Sequence, residues 1–540
     1  MPTLLAALGY LLLTLLLTYP VSVSPATRAL AVDADASLFL WTLGWDVHAL
    51  VRQPLSIFDA NIYYPERLTL AYSENLIGSA LVAAPVIWLT DNPVLAANVV
   101  ALLSCVLCGL GAYVLGRRLG LSAPAAFLAG LVFAFAPPRF LRISQLHLAV
   151  QWLPFALAFL HSYFDRGRPR DLRLAILCFS LQALSSGHGA VFAALAMAGL
   201  AIYRLLAGAP LDLARRMRDV GVPGALLIAP ALLSVVPYLI VQQEMGLKRA
   251  LGDYPPANAG SFLASPTYVH RFVLSLFDAT SINDTAWAFL FPGYLPILLA
   301  MVAFAPWLRA NGPRARVFYL LVTVASVWLA AGPPIGLWPA VYWMPGLNFI
   351  RVPSRFTLLG VLGLGVLAAM GFERLSAPWR PRVRTTAAVV VGAMLVGEFA
   401  VAPLVTTEYR VDIPAVDRWL DAQPKPFAIA EVPVPRADQP GWERRQTVYM
   451  LHSMAHWQKT VHGYSGFRPP RHELLFRQLR NFPDEESLEH LRRLGVRYIV
   501  VHEDYYQPAD WLVVEERLRR FEDGLRLEHQ DGAGRVYSLR

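Results

Sequence analysis

The chain has 540 residues, of which 56% are hydrophobic and only 16% charged, against about a quarter charged in ordinary soluble domains. A mean hydropathy of +0.44 excludes a cytosolic enzyme and a disordered chain. The net charge of +9 does not signal nucleic acid, because the basic residues sit between apolar blocks, where they orient membrane spans.

A bilayer span needs about 20 largely apolar residues. The first such stretch, 4–22, lacks the basic leader of a signal peptide and reads as a retained span. The loop that follows, 23–92, holds Asp33, Asp35, Trp41, Trp45, Asp46 and His48, then FDANIYYPERLTLAYSENL at 58–76. Asp33 and Asp35 stand immediately before an aromatic-rich helix. They fit an N-cap with a solvated loop acid; on a functional reading one of them is a general base or metal ligand. Within this loop, 76–90 is too short to cross and carries Pro85 near its middle.

Further spans are expected at 93–115, 121–138, 148–164, 172–187, 189–207, 221–241, 287–308, 316–332, 354–372 and 385–405, about eleven in all. Cys105, Cys108 and Cys178 all lie in apolar runs, so no disulfide framework is expected. If 76–90 stays on one side, the basic loops at Arg117/Arg118, Arg166–Arg173, Arg215–Arg218, Arg309–Arg316 and Arg374–Arg384 share a face. The positive-inside rule favours that arrangement. It makes 76–90 an interfacial or re-entrant helix and the N-terminus cytoplasmic. The polar segments 23–92, 242–286 and 406–540 then lie outside.

The tail 406–540 changes in composition. FAIAEVPV (427–434), VRYIVVHE (496–503) and the terminal RVYSLR read as strands, and SLEHLRRLG (487–495) as a helix stopped by Gly495. Between the strands, HSMAHWQKTVHGYSGFRPP (452–470) reads as a loop packed on the membrane module, with substrate contact as the alternative. The expected fold is an α-helical integral membrane domain over 1–405, carrying the large first outer loop, followed by an extracytoplasmic α/β domain over 406–540.

Several stretches carry a resemblance: DASLFLWTLGWDVHAL (35–50), SIFDANIYYP (56–65), TLAYSENLIG (69–78), FAFAPPRFLRISQLHL (133–148), IRVPSRFTLL (350–359) and HWQKTVHGYSGFRPP (456–470). With the order of short first span, acidic outer loop, many spans and α/β tail, the chain resembles the polytopic C-type (GT-C) glycosyltransferases that use lipid-linked sugars. More narrowly, it is similar to a group of bacterial membrane proteins. The resemblance extends over essentially the whole chain. The chain departs from the oligosaccharyltransferases in lacking their W-W-D-type signature.

The resemblance implies that an acidic residue of the first outer loop serves as base or acceptor-orienting carboxylate. It points to Asp35 ahead of Asp33, with Glu74 as a second acid. For Glu74 the competing reading is a charge that holds 76–90 at headgroup level. The implied activity is transfer of a sugar from a polyprenyl-phosphate donor to a saccharide, lipid or protein acceptor, with inversion, on the outer face of a bacterial inner membrane. Such a step needs a carboxylate near the acceptor hydroxyl and cations for the departing phosphate. Arg351 and Arg355 flank Val352-Pro353-Ser354 at the outer mouth of a span and are the expected phosphate clamp. Arg139, Arg142 and His147 lie at the same level, and His188 lies in the outer turn SSGHG. The structural alternatives are snorkelling to headgroups for the arginines, a cap or hydrogen bond to a neighbouring helix for His147, and a turn residue with a solvated ring for His188.

No P-loop, dinucleotide-binding fingerprint, H-E-x-x-H or nucleophile elbow occurs. Asp33-x-Asp35 resembles the metal-binding D-x-D of soluble nucleotide-sugar transferases but does not follow a Rossmann-type strand. No cofactor or metal site is therefore expected, with divalent metal left open. The rival readings are a transporter or flippase for a lipid-linked saccharide and a non-catalytic envelope assembly protein. The transporter predicts polar groups lining a path at mid-depth, where Glu398 is the exception in otherwise acid-free spans.

Overall fold

Backbone without water must satisfy its own polar groups, and the apolar stretches do so as helices. The computed structural model describes residues 2–210, 212–246, 257–305, 315–332, 336–344, 347, 350–436, 439 and 441–540. Parts of three expected features, the loop 242–286 (at 247–256), the span 287–308 (at 306–308) and the basic loop from Arg309 (at 309–314), lie outside the described residues.

One compact unit comprises Met1–Pro25, Asn98–Val236 and Gln242–Thr406. Each expected span overlaps one of the helices Pro2–Leu17, Pro93–Arg118, Ala123–Phe135, Leu153–Arg166, Pro169–Ser185, Gly187–Leu206, Leu213–Glu244, Tyr294–Val302, Ala315–Ala330, Thr357–Ser376 and Pro381–Phe399. Among the described residues, Pro93–Arg118, Gly187–Leu206, Leu213–Glu244 and Pro353–Ser376 are long and apolar enough to cross a membrane. Local chemistry shortens or breaks others. Ala136 precedes Pro137 and ends the Ala123–Phe135 helix in extended ψ, and Gly221, at φ +54, interrupts the Leu213–Glu244 run.

The centre of this unit is Thr357–Ser376, buried almost throughout and packed on Ala123–Phe135, Tyr294–Val302 and Ala315–Ala330. Glycine makes the approach close: a Cβ at Gly371 would land on the Leu299 carbonyl oxygen, and one at Gly363 on the Thr323 hydroxyl. Outward faces stay apolar, with Leu4, Leu5, Leu226, Leu232, Leu233, Val389, Val390 and Met394 exposed. Such coverage would be costly in water and suits hydrocarbon. Glu398 has a local task, its carboxylate accepting from the Tyr294 and Leu295 backbone N–H groups at the start of a helix. That capping removes the mid-depth acid as a reason to read a transport path.

The other unit comprises Ala26–Ala97, Pro237–Val241 and Thr407–Arg540. Strands β1 (Arg28–Ala29) and β2 (Thr407–Glu408) form a short antiparallel pair. A five-stranded sheet contains β3 (Ala428–Val432), β4 (Lys459–Thr460), β5 (Tyr498–His502), β6 (Leu525–Asp531) and β7 (Gly534–Leu539), in the order β4-β3-β5-β7-β6. Strand β3 runs parallel to β4 and β5, whereas β7 is antiparallel to β5 and β6. Every residue of β3 and β5 is buried, because helices cover both faces. Ala430, Val432, Ile499 and Val501 face Phe476, Leu488 and Trp511, whereas Ile429, Tyr498 and Val500 face Val416 and Leu420. The Glu485–Leu494 helix starts with a capping box on Asp484 and Ser487 and stops at Gly495, at φ +75.

Residues of the 26–97 stretch complete this sheet. Thr460 N donates to Asn61 O at 2.8 Å, and Tyr63 and Tyr64 N donate to His462 and Thr460 O at 2.9 Å. The backbone of 61–64 therefore covers the free edge of β4. A Cβ at Gly463 would meet the Tyr63 ring at 2.6 Å, so only glycine admits this approach.

Candidate functional site

In the sheet-containing unit the helix Ala34–Arg52 opens on Asp33, whose side chain accepts from Ala36 N at 2.7 Å. Asp33 is thus the N-cap. Asp35 follows in the first turn and is exposed, where the helix N-terminus favours a carboxylate. Tyr464 Oη donates to Asp35 Oδ1 at 2.8 Å. Burial, reinforced by the Asp35 charge, raises the Tyr464 phenol above its ordinary range, so it stays protonated and keeps donating.

Packing within the unit fixes that contact. Trp41 and Trp45 are buried and stacked at 6.2 Å, and Trp45 Nε1 donates to Ile57 O at 2.8 Å. Trp457 stacks on His48 at 4.7 Å, and Met454 lies where a Cβ on Gly44 would sit, 2.6 Å away. Asn61 Nδ2 donates to Ser453 Oγ and Gln458 O at 3.0 and 3.1 Å. The stretch 452–470 is therefore seated on the segment 41–65.

Glu74 is half-buried, just before the helix Ile77–Thr90. Another acid serves the start of that helix: Asp46 Oδ2 accepts from Leu76 N at 2.9 Å, while its Oδ1 is buried without a hydrogen-bond partner. Burial pushes Asp46 up to about 8, against the opposing pull of the Leu76 N–H.

The helical unit holds the expected cations. Arg139 is buried and donates to Cys105 Sγ (3.0 Å), Ala134 O (2.8 Å) and Ser104 Oγ (3.0 Å), which ties it to the Pro93–Arg118 helix. His147 and His188 are buried, with ring centroids 5.7 Å apart, edge to face. The turn that carries His188 is held by Ser186, which donates to His147 O at 2.5 Å and accepts from Gly189 N at 2.9 Å. Arg355 Nη1 donates to His188 Nε2 at 2.8 Å. A guanidinium has no acceptor, so His188 is the neutral tautomer protonated on Nδ1. Arg355 is half-buried and Arg351 exposed. Burial and the Arg355 charge both push the Arg142 guanidinium down, to about 10. His147, His188 and Arg355 thus form one cluster, with Arg142 in its electrostatic reach.

A third cluster escaped sequence reading. Glu431 at the end of β3 and His502 at the end of β5 project to the same face as Ile429 and Val500. Glu431 Oε2 lies 3.0 Å from His452 Nδ1 and 2.8 Å from His502 Nε2. Asp417 Oδ2 is 3.9 Å from His452 Nδ1, and Asp417 Oδ1 is 3.7 Å from His456 Nε2. Burial raises Glu431, with Asp417 adding to it. Burial also opposes ionisation of Asp417, yet His456, His452 and His502 together hold it below the usual carboxylate range. His462 stands behind, accepting from Glu431 N at 2.8 Å, with Nδ1 3.1 Å from Gln446 Oε1. The signals in the sequence were a glutamate inside an apolar strand, a histidine ending another, and the histidines of the stretch 452–470.

No protein-family model matches the sequence, and no curated protein matches it. Among solved structures the chain is similar to the arabinofuranosyltransferase AftD from Mycobacteria, with a TM-score of 0.59 and 17% identity over 99% of this chain and 40% of that one. It is also similar to the apo oligosaccharyltransferase of Archaeoglobus fulgidus, with a TM-score of 0.51 and 12% identity over 92% of this chain and 69% of that one. The chain thus spans about 40% of the length of AftD. Likeness at such identity is likeness of fold. The fold of this chain is that of the C-type glycosyltransferases.

Proposed function

We propose that the protein is a multi-pass membrane glycosyltransferase that transfers a sugar from a polyprenyl-phosphate donor to an acceptor hydroxyl, on the outer face of a bacterial inner membrane. The N-terminus would be cytoplasmic and the sheet-containing unit outside. Asp35 carries the reading: it is an exposed carboxylate, preceded by an N-cap and held by Tyr464, in a chain with a C-type glycosyltransferase fold.

In this reading Asp35 accepts the acceptor's hydroxyl proton as that oxygen attacks the anomeric carbon. The bond from that carbon to the phosphate oxygen breaks, and the phosphate leaves with the electron pair, from the face opposite the attack. Arg351 and Arg355 stabilise the departing charge, Arg355 as a planar fork steadied by His188. Two guanidiniums that repel one another, Arg355 and the half-buried Arg142, favour an anion between them. Arg139, already donating three times, holds the loop that carries Arg142 and His147. Glu74 acts as the auxiliary acid. The step as written uses no metal ion.

Purified protein incubated with a panel of polyprenyl-phosphate sugars and candidate acceptors should release and transfer sugar. Asp35→Asn should lower transfer by about 100-fold or more, as loss of a general base does, with an unchanged unfolding midpoint. Parental transfer by the folded Asn variant would overturn the assignment.

A further inference from the structure

The buried histidine–carboxylate cluster has a composition that hydrogen bonding within the protein leaves incomplete. Asp417 and Glu431 are both fully buried. Neither Asp417 oxygen accepts a hydrogen bond, nor does Glu431 Oε1, and His456 Nε2 is buried without a hydrogen-bond partner. Two carboxylates removed from water with three empty oxygens are expensive unless positive charge accompanies them. No Lys or Arg forms an ion pair with either of them among the described residues; the recorded pairs are to His452, His456 and His502.

The donor atoms are also spaced for a common centre. Glu431 Oε2, His452 Nδ1 and His502 Nε2 all lie within 4.8 Å of one another. A tetrahedral ion bound at about 2.0–2.1 Å keeps its ligand atoms about 3.3 Å apart, close to the 3.0 and 2.8 Å found from Glu431 Oε2. Asp417 Oδ2, 3.9 Å from His452 Nδ1, stands next in line as a fourth donor. The ligands come from rigid elements, namely the C-terminal ends of parallel β3 and β5 and the last residue of the Trp442–His452 helix. Ligand sites in α/β sheets favour such strand ends. A cavity adjoins the cluster: His452 and His502 line a space of about 410 Å³ together with Tyr409, Asp412, Asp504 and Tyr505.

We propose that Glu431, His452 and His502, with Asp417 completing the set, bind a divalent first-row transition ion of the Zn²⁺ type in the sheet-containing unit. Nitrogen and carboxylate donors without thiolate suit Zn²⁺ and its neighbours over Ca²⁺ or Mg²⁺. The ion would neutralise the two carboxylates and tie the Trp442–His452 helix to β3 and β5. This site is independent of the glycosyltransferase reading, since its readout is metal content.

The test uses the full chain in detergent, stripped by a chelator and reloaded with Co²⁺ as a spectroscopic probe. The expected result is an equimolar, dialysis-resistant ion with the intense visible d–d bands of four- or five-coordinate cobalt, displaced by Zn²⁺. His502→Asn and His452→Asn should each lose the bands and the stoichiometric ion, while His529→Ala, outside the cluster, should keep both. Absence of those bands and of equimolar metal in the folded parent overturns the proposal, whatever the variants do. So does equimolar metal that persists in both histidine variants.

Discussion

One helix carries three aspartates' worth of different chemistry. Asp33 caps it, Asp35 is exposed beside Tyr464, and Asp46 is buried under the start of the next helix. Asp35 and Asp46 are eleven residues apart, about three full turns and so nearly one helix face, which is why spacing alone could not separate an exposed acid from a buried one. The pH consequence has a definite sign. With its folded value raised from 3.8 to about 8, Asp46 binds its proton more tightly in the folded chain than in the unfolded one. Its contribution is fully present below about pH 4 and is lost as pH rises towards 8, on the order of several kcal/mol in all. Asp46→Asn keeps an acceptor for Leu76 N and removes the titration. The variant should therefore unfold at a higher temperature than the parent at pH 8, with the gap closing near pH 4. Equal unfolding midpoints at pH 8 would refute the buried-acid account.

At the scale of elements, periodicity and apolar length placed helices well, because each span satisfies its own backbone bonds whatever surrounds it. The strands β3 and β5 likewise fall within the stretches whose β-branched runs marked them, and β7 overlaps the terminal RVYSLR. What pattern could not supply was how closely elements approach. Gly371 illustrates this, since a Cβ there meets backbone of the Tyr294–Val302 helix, whereas nothing lies within 4 Å of one at Gly397. Gly371→Ala should force the two helices apart and cost about 1–3 kcal/mol or more. Gly397→Ala should leave stability level or raise it by a few tenths of a kcal/mol, as a helix gains from alanine. Thermal unfolding in detergent by circular dichroism separates the two, and equal midpoints would contradict the packing described for the central helix.

For the whole molecule, the least legible feature is that residues 26–97 and 407–540 build one unit. Division by composition puts a boundary near 405 and leaves the early loop with the spans. The joining contacts, such as Asn61 with Ser453 and Tyr64 with Thr460, connect positions nearly four hundred residues apart, and no local pattern encodes them. A chain ended after Thr406 should therefore leave 26–97 without its sheet, its Trp457 stacking and its Asp35 partner. Limited proteolysis should cut that stretch at least about tenfold faster than in the full chain, as a segment stripped of tertiary contacts opens far more often. Equal resistance would mean the early segment folds alone. The interleaving also imposes a schedule on biosynthesis. Between Ala97 and Thr407 the ribosome must add 407 − 97 = 310 residues, which at about 5–20 residues per second takes on the order of 15–60 s. Through that interval the newborn segment waits with apolar side chains and an unzipped β edge bare, a prime client for a chaperone until its other half arrives.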